Sequence, residues 1–531
     1  MRQGKPEQRK KKTMKIRTGL VGCVLAASLL AATPAAQTQK PPPAFQDLLR
    51  TGDVAALTAA LDKDPALTNQ RDRQGAQPIF WAAVYGQRAV VDLLLARGAD
   101  PRSSSPLGTA VHGAVIGGDP EILRALVARG ADVNGGGEAR VPPLILAARR
   151  GRLPVIEALL DLGAAPEATD AMGNTALLMA ASYGLDPVVR LLVSKQAGLN
   201  TANSRGATPL DVARREGYAD IVAYLETQKA VARGPSVDLS GPFLGQTPPG
   251  LTPALFAPAF VSTERRELNA AFTPDGRTLF FARDRYPRGT LIMTTSFDGT
   301  RWTRPVAAPF SRDGESDVDV FVTADGREVY FCSERPIPGT PAPPAGTAPA
   351  TSSPPADIWV VTRTASGWSR PAWLGPVVNS DAADYYPTLT RTGTLYFSSN
   401  RRGGFGENDI YRARRVDGQW TTPENLGRGI NTGSREYDPF IAPDESYLIF
   451  ASERPGGLGA ADLYISFRDA GGTWGDPKNM GPEVNSSAAE YTPMLSPDGK
   501  YLFFTSNREG QDDIYWIQAR VIDRFRPADR R

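Results

Sequence analysis

Histidine is nearly absent: His112 is the only one in 531 residues. A Ser-His-Asp triad therefore has a single possible base, and no multi-histidine metal site can form. Cysteine is as scarce. Cys23 and Cys332 exclude a disulfide framework and a zinc ribbon. No GxSxG elbow, P-loop, GxGxxG or HExxH occurs. These absences leave no expected cofactor and no expected metal. A large excess of charge is missing too. The formal net charge is +3, but residues 1–36 hold eight Lys/Arg and one acid, so the rest of the chain carries about −4. A weakly acidic chain has no electrostatic footprint for nucleic acid.

The one extended apolar run is Gly19–Ala32, shorter than the roughly 20 residues a membrane-spanning helix needs. A basic stretch precedes it and small residues follow, so residues 1–36 read as a secretory signal peptide cleaved near Ala35/Ala36. Translation starts at Met1 or at Met14. The mature protein is expected in the periplasm or outside the cell, with no transmembrane segment after cleavage.

Residues 41–228 repeat at about 33 residues. Segments starting at Gln77, Thr109, Pro142, Thr175 and Thr208 align, and Ala82, Ala114, Ala147, Ala180 and Ala213 fall at one place in each. Small alanines let two helices approach. Leu/Val runs such as Val90–Leu95 form the apolar stripe of a second helix, and Gly98, Gly130 and Gly163 close it. Period and pattern resemble ankyrin repeats, whose Thr-Pro-Leu-His-x-Ala signature is nearly matched by Thr109–Ala114. The resemblance implies an all-α solenoid, with Phe45–Gly75 and Ala219–Gln228 as caps. It gives His112 a backbone-bonding role.

Residues 229–255 are rich in Pro and Gly and read as a linker. From 256 to 531 a second period of about 52 residues runs. Five turns such as Thr273–Gly276 and Ser496–Gly499 each precede a short apolar run, such as Leu279–Phe281 and Leu502–Phe504. Third strands open with Asp357, Asp409, Asp462 and Asp513, with Thr290 in the first repeat. Fourth strands are expected at the Trp-x-x-Pro pieces containing Trp302, Trp368, Trp420 and Trp474. Four strands per unit and five units make a β-propeller of five blades, with six as the alternative. The Ser-Pro-Asp-Gly, Ser-Asn-Arg and Asp-Ile-Tyr pieces resemble the WD40-like (PD40) repeats of Tol-type propellers. The fifth repeat lacks its fourth strand, and Phe256–Thr263, which aligns with Leu426–Thr432 and Met480–Ser486, is expected to close the ring.

A carboxylate precedes each turn by eight or nine residues: Glu267, Asp317, Asp384, Glu436 and Glu490. Innermost strands would gather them at one mouth of the channel, a candidate ligand-binding ring; the competing reading is that a residue present in every repeat serves the repeat. A proline-rich insert, 336–356, is expected beside that mouth. Arg335, Arg401, Arg454 and Arg508 are expected to pair with the third-strand aspartates across a hairpin. The expected function is an exported, non-enzymatic binding or scaffold protein that recognises a protein or peptide ligand or an envelope glycan. The alternatives are a glycan-cleaving hydrolase with a carboxylate pair, which rests on fold analogy, and a structural element of the cell envelope.

Overall fold

The computed structural model describes residues 43–137, 141–234, 239–285, 289–339 and 355–527. The signal-peptide stretch and most of the 336–356 insert lie outside these. Among the described residues, no helix is long and apolar enough to cross a membrane.

The first module is a solenoid of helix pairs. Its inner helices are Pro78–Val84, Ala110–Gly117, Pro143–Arg150, Ala176–Ser182 and Pro209–Glu216. Its outer helices are Arg88–Ala96, Pro120–Ala128, Leu153–Asp161, Asp186–Ser194 and Ala219–Thr227. A pair at Pro43–Thr51 and Val54–Lys63 caps the N-terminal end. The five repeated alanines are all fully buried, as close helix packing requires. One apolar core runs from Phe45 to Leu225. Thr175 and Thr208 cap their helices by accepting the N–H of Leu178 and Asp211.

The second module is a five-bladed propeller. Three blades carry four strands taken in chain order, and the one starting at Glu267 shows the pattern: Glu267–Phe272, Thr278–Asp284, Thr290–Ser296, Val306–Ala307. The second blade adds a two-residue hairpin strand, and the fifth takes its outer strand from elsewhere. Each outer strand is only two residues long, and in the first four blades it lies just after its Trp-x-x-Pro piece, as in Glu424–Asn425 and Lys478–Asn479. The tryptophans therefore precede the strands they were expected to occupy.

The ring closes as the repeat pattern requires, two residues earlier than expected. Ala254–Leu255 is the outer strand of the fifth blade, with Leu255 opposite Tyr515 and Ala254 opposite Trp516. Phe256–Thr263 follows that strand, just as Leu426–Thr432 and Met480–Ser486 follow theirs. The alignment was in register; the paired residues lie upstream of it. Residues 239–253, expected as linker, pack on the propeller. The Trp302 indole donates to the Gly241 carbonyl at 2.8 Å. Leu244 is fully buried, and the Phe243 ring meets Tyr501 at 5.1 Å and Trp516 at 5.6 Å.

Candidate functional site

The five recurring carboxylates open the innermost strands, and all are 0% exposed. Each meets an arginine of its own blade: Glu267–Arg283 at 2.8 Å, Asp317–Arg335 at 2.7 Å, Asp384–Arg401 at 2.6 Å, Glu436–Arg454 at 3.3 Å and Glu490–Arg508 at 3.2 Å. Each also ties down the segment entering its strand. Thr263, Ser380, Thr432 and Ser486 donate both N–H and hydroxyl, and Ser311 donates its hydroxyl to Asp317. A ligand in the channel finds no exposed oxygen on them. They occupy equivalent places but hold their own blades, which corrects the reading of a ligand-binding ring.

The arginines thus pair with first-strand carboxylates and not with the third-strand aspartates. Those take other donors. Asp409 accepts from the N–H of Phe405 and Gly406 and from the Asn425 amide. Asp462 accepts from Leu458, Gly459 and Asn479. Asp357 accepts from the Trp373 indole. His112 does what its place in the repeat implies. Its Nδ1 accepts from the Thr109 N–H at 3.1 Å, so Nε2 carries the proton and donates to the Val141 carbonyl at 2.7 Å. Burial lowers its pKa, which keeps it neutral and structural.

Two residues beyond each recurring carboxylate, the chain bulges. Asn269, Asp319, Tyr386, Asp438 and Thr492 take φ of 52°, 57°, 53°, 51° and 52°, and the register with the second strand shifts beside each. A left-handed non-glycine residue costs about 1–3 kcal/mol and persists only where its surroundings over-determine it; recurrence in all five blades shows that the architecture imposes it. The bulge aims these side chains at the axis. Asn269 Nδ2 donates to Tyr386 Oη at 3.2 Å, and Tyr386 Oη donates to the Pro493 carbonyl at 2.8 Å. Those contacts join blade 1 to blade 3 and blade 3 to blade 5, blades that are not neighbours, so they cross the axis. Thr492 donates its N–H to Asp438 Oδ2 at 3.2 Å. The Asp319 carboxyl takes the Tyr386 N–H and lies beside the Cys332 thiol. Burial pushes Asp319 up to about 7. Burial, and then Asp319 itself, pushes Asp438 well above the carboxylate range. Sequence reasoning missed these five because it looked for what recurs. Their signal was the opposite: a fixed offset from a recurring residue, filled differently in every repeat.

A second cluster joins the modules. The solenoid meets the propeller through the ends of its last three inner helices. Arg149 pairs with Asp284 at 3.4 Å, and the Tyr183 hydroxyl donates to the same carboxylate at 3.2 Å. Arg215 pairs with Glu264, and Arg265 with Glu216 at 3.2 Å. Arg205, in the turn before the last inner helix, bonds Asp513 and the Thr263 carbonyl. Arg265 is 2% exposed and lies 4.9 Å over the Tyr183 ring. Burial works against the charge on Glu216, but the guanidiniums of Arg265, Arg283 and Arg215 outweigh it and hold the carboxyl at about 2. At the equivalent places in the two preceding repeats stand Val84 with Tyr85, and Ile116, all half-buried. Tyr85 stacks on Trp81 at 5.9 Å.

A family model described as "Ankyrin repeats (3 copies)" matches residues 35–136, 79–170 and 144–232, so the solenoid consists of ankyrin repeats. Ankyrin repeat and SOCS box protein 6 of Homo sapiens is 35% identical over 123 residues, 21% of this chain and 29% of that protein. Its Mus musculus counterpart is 38% identical over 98 residues, 18% of this chain and 23% of that protein. Ankyrin repeat and SAM domain-containing protein 6 of Rattus norvegicus is 32% identical over 102 residues, 19% of this chain and 12% of that protein. The chain spans less than a third of the length of these relatives.

Proposed function

We propose that this chain is an exported, non-enzymatic binding protein in which ankyrin solenoid and propeller act as one rigid unit toward a protein ligand. One observation carries the reading. Positions that grip the propeller in the last three repeats are filled in the two before them by Val84, Tyr85 and Ile116, half-buried and apolar, with Trp81 stacked alongside. A surface that already holds one folded module continues, with aromatic side chains suited to a second. The resemblance of the propeller repeats to Tol-type propellers and the signal-like residues 1–36 support export and a ligand in the cell envelope. The mature N-terminus is then near Ala35 or Ala36, which mass spectrometry of the exported protein reads directly; a lipid-modified Cys23 terminus would overturn it.

Capture from envelope extract by the full chain tests the binding role. A defined protein should be retained, and Tyr85→Ala should release it while the far-UV circular dichroism still reports a folded solenoid; Trp81→Ala should also release it, with some loss of stability because its indole donates to Asp72 at 2.7 Å. Retention that ignores these changes would remove the proposed surface.

The hydrolase reading has one observation in its favour, the Asp319/Asp438 pair. Asp319 keeps part of its surface open, but Asp438 is 5% exposed and Asn269 and Tyr386 are 1% exposed, so the second carboxyl offers a sugar almost no surface. Turnover of any oligosaccharide by the purified chain would nevertheless restore it. Sedimentation with peptidoglycan, unchanged in the Trp81 and Tyr85 variants, would favour a structural envelope role.

A further inference from the structure

Docking leaves a cavity of about 270 Å³ between the modules. The last inner helix of the solenoid lines it with Asp211, Arg215 and Glu216, and the first blade lines it with Arg283 and Arg304. Leu239, Phe260 and Pro305 add apolar wall. The docking contact uses many of these polar atoms. Arg215 spends Nε on Glu216 at 3.2 Å and Nη2 on Glu264. Arg283 spends Nε on Glu267 at 2.8 Å and Nη2 on the Phe260 and Val261 carbonyls at 2.9 and 3.0 Å. Arg304 spends Nη2 on the Arg214 carbonyl at 2.9 Å, at the C-terminal end of the last inner helix. Other donors are left over. Arg215 Nη1 and the Nε and Nη1 of Arg304 give no hydrogen bond to any described residue, and Arg304 has no carboxylate partner among them. We propose that this cavity binds a small organic carboxylate, its anion held by Arg215 and Arg304 and its apolar body lying against Phe260, Leu239 and Pro305.

The charges of the lining fix the class of ligand. Three guanidiniums face two carboxylates, so one positive charge is in excess and a monoanion cancels it. A phosphate dianion would overshoot, beside Asp211 and Glu216. A cation gains little, because both carboxylates are engaged. Glu216 takes Arg215, Arg265 and Arg283. Asp211 Oδ2 accepts the Thr208 N–H and hydroxyl and the N–H groups of Arg233 and Gly234. A guanidinium presents its donors as a planar fork, which matches a planar carboxylate. The volume lies just under the roughly 300–1,000 Å³ of small-molecule sites, which gives room for one ring or a short chain. Arg283 is 2% exposed and belongs to the floor; Arg304 is exposed and marks the way in. Because the walls come from both modules, the ligand binds only the docked chain and so favours docking.

The test titrates the full mature chain in a calorimeter with two probes, benzoate for a ring and hexanoate for a chain. Benzamide serves as the neutral match to benzoate, and inorganic phosphate as the dianion. At least one carboxylate should saturate one-to-one with Kd at or below about 1 mM, and benzamide and phosphate should each bind at least about tenfold more weakly. Arg304→Met should weaken carboxylate binding about tenfold or more, and Arg304→Lys, which keeps the charge without the fork, should weaken it less. Arg370→Met changes the exposed residue at the same place in the Trp-x-x-Pro piece of the second blade and should leave binding unchanged. Near-UV circular dichroism identifies any variant that fails to fold; should Arg304→Met do so, Arg304→Lys carries the comparison. Absence of saturable heat with both carboxylates at about ten times that concentration would overturn the site. So would binding that the Arg304 variant leaves intact. Benzamide binding as tightly as benzoate, or phosphate binding more tightly than either carboxylate, would overturn the class of ligand.

Discussion

Blades 3 and 4 repeat each other closely, whereas blades 1 and 5 break the pattern, and the solenoid sits against the two that break it. In blades 3 and 4 the aspartate opening the third strand is satisfied within the blade, Asp409 by Asn425 and Asp462 by Asn479. In blade 5 the place of that asparagine belongs to Leu255, opposite Tyr515. Leucine offers no donor, and Asp513 is taken by Arg205 of the solenoid. Blade 1 departs on its second strand. Opposite the recurring carboxylate stand Ser399, Ser452 and Ser506 in blades 3, 4 and 5, but Arg283 in blade 1. Arg283 satisfies Glu267 and also reaches Glu216 at 3.5 Å. In a repeat protein the recurring residue builds the blade, and the departure marks where the blade meets something else.

The largest break in this comparison comes from removing the closing strand. Deleting residues 251–265 takes away Ala254–Leu255 and the buried Phe256, Phe260 and Val261. At about 1.5–3 kcal/mol per buried apolar side chain, it should cost more than about 5 kcal/mol. A denaturant melt like that of the parent would show that the ring does not depend on this strand. Deleting the 336–356 insert should leave the melt nearly unchanged.

Next comes the recurring ring. Glu436→Gln leaves Arg454 with a neutral partner in a buried site and should cost about 3 kcal/mol. Two positions on, Asp438→Asn removes a carboxyl whose charge burial disfavours, so it should be neutral or stabilising. Equal losses in the two melts would erase the distinction between the rings.

A pH series sharpens the docking contact. Glu216 sits at about 2 in the folded chain against an ordinary 4.5. A depressed carboxyl stabilises above its unfolded value and loses that as pH falls through its folded one, so its share, up to about 3 kcal/mol, disappears between pH 4.5 and 2. Subtracting the stability curve of Glu216→Gln from that of the parent should show this loss; parallel curves would deny it. The smallest effect on stability is expected from Leu255→Asn, which gives blade 5 the asparagine of its neighbours. Its amide competes with Arg205 for Asp513. The propeller melt should stay within about 1 kcal/mol of the parent, while small-angle scattering shows a larger radius of gyration as the solenoid loosens.

The two modules and the blade count were legible in the sequence because each repeat must bury its own apolar face. The alanines at 33-residue spacing and the Leu-Phe-Phe runs are that requirement in letters. Two-residue outer strands were not legible in place, since neither Ala254–Leu255 nor Lys478–Asn479 has a pattern of its own, and in the first four blades the Trp-x-x-Pro piece just upstream is the stronger signal. The carboxylate at each strand start was found and its role misjudged, because sequence shows that Glu490 recurs but not that Arg508 and Ser486 enclose it. The axial residues and the docking arginines were missed for the converse reason. Asp438 and Arg205 follow no repeat, and only three-dimensional closure brings them to their partners.

The account's central claim is that a departure from the repeat marks the docking contact, and a double-mutant cycle on Arg205 and Asp513 tests it most directly. Arg205→Ala, Asp513→Asn and the double variant are compared with the parent in denaturant melts of the full chain. The account predicts a favourable coupling of about 1–3 kcal/mol. The same cycle on Asp409 with Arg205, where no contact exists, should give none. A coupling within about 0.5 kcal/mol of zero for Arg205 and Asp513 would contradict the claim. Blade 5's irregularity would then be unrelated to the solenoid.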